Sequence, residues 1–165
     1  ILMIQRIQTV YLFIVCVLSL VCLCTDIGAY YANGAEVADF SNCTFNTYAN
    51  FSAFHSSGPW ALGILLIVVV FLSLMSIMLY RMRMRQLRLT IISSILLFGY
   101  ILVYAFFAYI YSQKLVSIGI QPEEVIIFKP LATVCAPLIS LILNILAIHG
   151  IRKDEALVRS LDRIR

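Results

Sequence analysis

The chain has 165 residues, 62% of them apolar and only 12% charged, with a formal charge of +4. A water-soluble domain is roughly half apolar, with about a quarter of its residues charged, so this chain has too few polar residues to cover a core that faces water. A basic balance points to nucleic acid in a soluble protein, but here the basic residues flank apolar runs, and no nucleic-acid partner is expected.

The first apolar stretch covers about 7–25. Arg6 precedes it, as in a signal peptide, but no A-x-A-like site closes it, so it is read as a retained spanning helix. An outer loop follows over 26–59, rich in Asn, Ser, Thr and aromatics: Tyr30, Tyr31, Phe40, Phe45, Tyr48, Phe51 and Phe54. Asn33-Gly34 and Ser57-Gly58-Pro59 are turn signals. The aromatics are expected to anchor the loop at lipid headgroups, with partner contact as the alternative. Asn42-Cys43-Thr44 and Asn50-Phe51-Ser52 match the N-glycosylation pattern, which matters only in a eukaryotic secretory pathway.

The second and third apolar stretches, 60–80 and 89–111, contain no charged residue. Each has the roughly 20 residues that cross a hydrocarbon core. Backbone groups in lipid must be satisfied internally, so the stretches read as helices. Between them lie Arg81, Arg83, Arg85 and Arg88, which mark a cytoplasmic loop by the positive-inside rule. Alternation then places both termini in the cytoplasm, and ten of the 12 basic residues fall on that side. The third stretch ends in Tyr104, Phe106, Phe107, Tyr109 and Tyr111, read as an outer aromatic belt.

A short outer loop, 112–121, leads to Pro122-Glu123-Glu124, a helix-start signal. The fourth stretch runs over about 125–148, with Lys129 near its start, and Pro130 and Pro137 are expected to bend it. Asn144 is expected to bond across helices. In the tail, 151–165, Leu157, Val158, Leu161 and Ile164 recur at helical spacing. Asp154, Glu155, Arg159 and Arg163 can pair along the other faces. Such a basic amphipathic helix suits the anionic inner leaflet or a partner. The predicted fold is therefore all-α: one domain, 1–165, with four transmembrane helices, both ends inside, and a short amphipathic C-terminal helix.

Motifs for chemistry are absent from the sequence. His55 and His149 fall at opposite membrane faces, about 30 Å apart, and cannot share a haem or metal. The spans carry no charge near mid-depth, as proton-coupled transport would need. There is no Ser-His-carboxylate set, no H-E-x-x-H helix and no Gly-rich phosphate loop. The five cysteines include no C-x-x-C pair. Cys16, Cys22 and Cys135 lie in apolar runs. Cys24 and Cys43 lie at the outer face, as a disulfide or as two free thiols. No cofactor and no enzymatic activity are expected.

Two terminal segments carry a resemblance. Met3-Ile4-Gln5-Arg6-Ile7-Gln8-Thr9-Val10-Tyr11-Leu12 resembles the start of an uncharacterised four-span membrane protein family from the Bacteroidota, a domain of unknown function. The tail from Ile151-Arg152-Lys153-Asp154-Glu155 to Arg165 resembles that family's C-terminal signature. The resemblance implies a bacterial inner membrane and no particular activity. The leading expectation is an accessory or assembly subunit of a larger membrane complex, held by membrane protein partners or by its own copies. A small oligomeric transporter or channel is the second, and a thiol redox protein using Cys24 and Cys43 the third.

Overall fold

Four long helices form a ring in the computed structural model, which describes residues 2–32, 34–48, 58–79, 82–117 and 126–162. They are α1 (Leu2–Cys24), α2 (Trp60–Met78), α3 (Arg83–Ser117) and α4 (Cys135–Asp162). Helices α1 and α3 each pack on both α2 and α4. The shortest, α2, has 19 residues and spans about 28 Å at the helical rise, close to the ~30 Å hydrocarbon core of a bilayer. All four are long and apolar enough to cross a membrane. Only 28–33% of the residues in each apolar run are buried within the protein. Phe13, Ile64, Ile95 and Ile142 are among the many large apolar side chains that face outward. Water would penalise that surface, whereas lipid tails are as apolar as the side chains themselves.

The all-α expectation needs correction. A four-stranded antiparallel sheet sits at one end of the bundle, in the order β3-β2-β1-β4. Its strands are β1 (Asp26–Ala32), β2 (Ala35–Ser41), β3 (Phe45–Thr47) and β4 (Ile126–Pro130). Three strands come from the long loop after α1, and Gly34, at φ +80°, turns the β1–β2 hairpin, a conformation that costs glycine nothing. The fourth strand arrives from about 100 residues further on and pairs Tyr30 with Phe128 and Gly28 with Pro130.

That pairing corrects the fourth span as well. Residues 126–130 form a strand, a 3-10 turn follows at Ala132–Val134, and α4 begins only at Cys135. The reason is local. Ile126-Ile127-Phe128 is β-branched and aromatic, and Pro130 disfavours helical geometry in the residue before it. Neither proline bends a helix. Pro130 ends β4, and Pro137 stands in the first turn of α4, where the missing N–H has no partner to lose.

The sheet is bound to the bundle through aromatic rings. Tyr30, Phe40 and Phe45 are buried, with Phe128 packed against them. Phe45 stacks on Tyr111 at 4.2 Å between ring centroids, and Phe40 lies 5.8 Å from Tyr104 and 5.6 Å from Tyr111. The phenols exchange hydrogen bonds with the facing backbone: Tyr30 Oη donates to the Ala108 carbonyl at 2.8 Å, and Tyr104 Oη to that of Ile27 at 3.2 Å. An outer belt would need all five aromatics of the α3 cluster to face outward, and only some do. Phe106 and Tyr109 face outward, while Tyr104 and Tyr111, with Phe107 packed beside them, form half of a core. The loop aromatics Tyr30, Phe40 and Phe45 do not lie on headgroups. Phe51 and Phe54 lie outside the described residues.

Candidate functional site

Among the described residues, the buried polar side chains that bond across elements lie at three levels of the molecule. At the sheet end, a tight turn closes β2 to β3: Ser41 N donates to the Thr44 carbonyl at 3.0 Å, and the two hydroxyls lie 2.7 Å apart. The turn drives Asn42 into the bundle, where it is 1% exposed. Asn42 Nδ2 donates to the Cys22 carbonyl at 2.5 Å, and Asn42 Oδ1 accepts from Tyr100 Oη at 2.7 Å. The Asn42 carbonyl accepts from Gly63 N at 3.2 Å. Cys22 lies in the last turn of α1 and Gly63 in the first turn of α2, where backbone groups have no partner within the helix. One residue therefore caps two helices and holds a tyrosine of a third. Gly63 permits this approach, because a Cβ there would come within 2.6 Å of Cys43 Sγ. Asn42 belongs to a sequence that matches the glycosylation pattern, but its amide nitrogen is buried and engaged. Asn50, of the second match, lies outside the described residues.

In the middle, Val15, Val69 and Leu97 meet with no exposure, and Leu96, Leu141 and Leu143 pack around them. Below this apolar layer, Asn144 Nδ2 donates to Ser93 Oγ at 3.1 Å, and the hydroxyls of Ser76 and Thr90 lie 3.1 Å apart. Ser19 Oγ, Ser73 Oγ, Ser140 Oγ and Asn144 Oδ1 are buried without a partner.

At the end opposite the sheet, Gln8 Nε2 donates to Asp154 Oδ2 at 2.8 Å and joins α1 to α4. Gly150 makes room for Gln8, since a Cβ there would lie 3.2 Å from its amide. Sequence spacing assigns Asp154 to a solvated face of the tail; instead it is 6% exposed. Its partner is 146 residues away, so no local pattern contains the pair.

The remaining candidates divide between the two ends. Arg85 and Arg88 are exposed and Arg83 half-buried, while Arg81 lies outside the described residues. In the tail, Leu157 is exposed and Val158 half-buried. The side chains of Arg159 and Leu161, and all of Arg163 and Ile164, lie outside the described residues. Of the two alternatives for Cys24 and Cys43, the structure has both as free, exposed thiols, with Cys43 held against Gly63 by the β2–β3 turn. Among the described residues, no three His, Cys, Asp or Glu side chains converge as a metal site.

Strand β2 carries an acidic group, Glu36 and Asp39. Tyr48 Oη donates to Asp39 Oδ2, and this bond pushes the phenol up to about 12. A hydrogen bond to Asp39 also raises the Glu36 carboxyl above the usual carboxylate range. A group whose folded value is raised stabilises the fold at low pH, and that contribution is lost as pH rises through the raised value. Replacing Glu36 with Gln is therefore expected to make the sheet less sensitive to pH just above the carboxylate range. Backbone amide exchange of 26–48, followed across pH, reads this out. An unchanged profile would show that Glu36 and Asp39 do not share a proton.

The chain belongs to the family described as Domain of unknown function (DUF4293), whose model matches residues 4–164. The resemblance carried by the two terminal segments is thus a family relationship across nearly the whole chain. No curated protein matches the chain.

Proposed function

We propose that this family member is a non-enzymatic accessory or assembly subunit of a larger bacterial inner-membrane complex. In this reading the four helices span the bilayer, both termini and the arginine connector lie in the cytoplasm, and the sheet stands on the periplasmic face. The observation that carries it is the use of the interior. Asn42, Tyr100, Gln8, Asp154, Asn144 and Ser93 all join one element to another, and Val15, Val69 and Leu97 form a buried apolar cluster in the interior. Such a bundle is a rigid support for two outward surfaces, a sheet on one side and a basic rim on the other. The apolar layer weighs against a polar conduit, and the free, exposed state of Cys24 and Cys43 offers no support for the redox reading.

Purification in mild detergent at native expression should recover the chain with a membrane protein partner or with further copies of itself. Recovery as a lone monomer would overturn the proposal. Orientation has a separate readout, since Cys24 and Cys43 are exposed at the sheet end. An impermeant maleimide added to spheroplasts should label Cys24 or Cys43 and should not label Arg85→Cys. The opposite pattern would invert the topology.

A further inference from the structure

At the end of the bundle opposite the sheet, a groove of about 240 Å³ opens between the start of α3 and the tail of α4, lined by Met84, Arg152, Glu155 and Ala156. We propose that it binds the headgroup of an anionic phospholipid, with the acyl chains running up the apolar faces of α3 and α4. The inference rests on the helices crossing a bilayer, not on any partner complex.

Charge is the first support. Arg152 lines the groove, and Arg85 and Arg88, within about a turn of Met84 along α3, and Lys153, next to Arg152 in the chain, are exposed. Arg88 lies one turn from Met84 and so shares its face of α3. Two acids lie nearby, but Asp154 is buried against Gln8 and withdrawn from the surface. Glu155 is the acid on the lining. Arginine suits this task, because its planar fork can hold two phosphate oxygens at once.

Position and shape are the second support. The groove begins within a turn or so of the apolar run of α3, the depth at which headgroups stand if that run fills the hydrocarbon core. Met84 on the lining and Leu157, next to Ala156 in the chain, are apolar and close to half exposed, so apolar lips adjoin the cations. Basic pockets between helices on the cytoplasmic side are a recurring form of lipid headgroup site. A soluble phosphate would use the cations and leave the lips uncovered. A diacyl lipid uses both.

The test uses the full chain, reconstituted in vesicles of equal phosphatidylglycerol and phosphatidylcholine. The protein is then extracted in mild detergent, and its retained lipid is weighed by native mass spectrometry. Retention of phosphatidylglycerol in preference to phosphatidylcholine is expected. Arg88→Gln and Arg152→Gln should each lower that retention about fivefold, the weight of one basic residue at an anionic surface. Lys114→Gln, at the sheet end, should leave it unchanged. Equal retention of the two lipids by the wild-type chain would overturn the proposal without reference to any variant. So would displacement of the lipid by millimolar glycerol phosphate, which would mean a headgroup site only. Failure to enter vesicles would count against the bilayer reading itself, whereas entry without lipid preference would sink this inference alone.

Discussion

Replacing Phe40 with alanine is expected to release the sheet from the helices. Phe40 has no exposure and lies within ring contact of Phe45, Tyr104, Tyr111 and Phe128. These partners belong to β3, α3 and β4, so the ring fills the space where three elements meet. Removing a buried aromatic side chain costs about 3–5 kcal/mol through lost transfer energy and the cavity left behind. Phe40→Leu keeps most of the volume and should lose less than about 1.5 kcal/mol. Limited proteolysis separates the effects. The alanine variant should be cut within 26–48 while helix content measured by circular dichroism stays constant, because the helices bond their own backbones in lipid. Unchanged resistance to protease would mean that the sheet does not depend on the aromatic core.

Asn42→Ala should be nearly as damaging, for a different reason. It removes the donor to the Cys22 carbonyl and the acceptor for the Tyr100 hydroxyl together. Each buried polar group left alone costs about 1–3 kcal/mol, so a loss of roughly 2–4 kcal/mol is expected. Tyr100 lies 3.6 Å from Cys22 Sγ, which offers it a weaker alternative. Cys22 has no exposure, so its rate of alkylation, located by peptide mapping, reports loosening at that point. Asn42→Asp gives a sharper test. An ionised carboxylate would face the negative end of α1 with no proton to donate, whereas a protonated one reproduces the asparagine pattern of one donor and one acceptor. The folded value of that carboxyl is therefore raised. By linkage, the stability of the variant is present at low pH and lost as pH rises through the raised value. Equal Cys22 protection at pH 5 and pH 8 would sink the assignment of Asn42 as the capping side chain.

Several ties of the bundle leave a trace in the sequence. Tyr100, Tyr104, Phe107 and Tyr111 recur at intervals of four, three and four, a single helical face. Three of these rings join the core of the sheet and Tyr100 holds Asn42, while Phe106 and Tyr109, off that face, point outward. Gln8 is an amide within an apolar run, the kind of residue that seeks a partner on another helix. What the residues alone withhold is the identity of each partner. Asp154 is surrounded in sequence by Arg152, Lys153 and Glu155 and looks solvated, yet it closes on Gln8 across the bundle. Asn42 reads as a loop asparagine because nothing nearby marks the burial of its turn.

The number of apolar helices and the charge asymmetry between the two ends of the bundle follow from the sequence by itself. Both are sums over local composition: a run of about 20 apolar residues has one stable form in lipid, and arginines are counted where they stand. The sheet, the aromatic core and the polar ties were decided only by tertiary structure. Strand β4 exists because β1 offers it an edge about 100 residues away. Asn42 is buried because two helix ends and a tyrosine converge on it. These contacts join distant parts of the chain, and their energies arise only once the helices have brought those parts together.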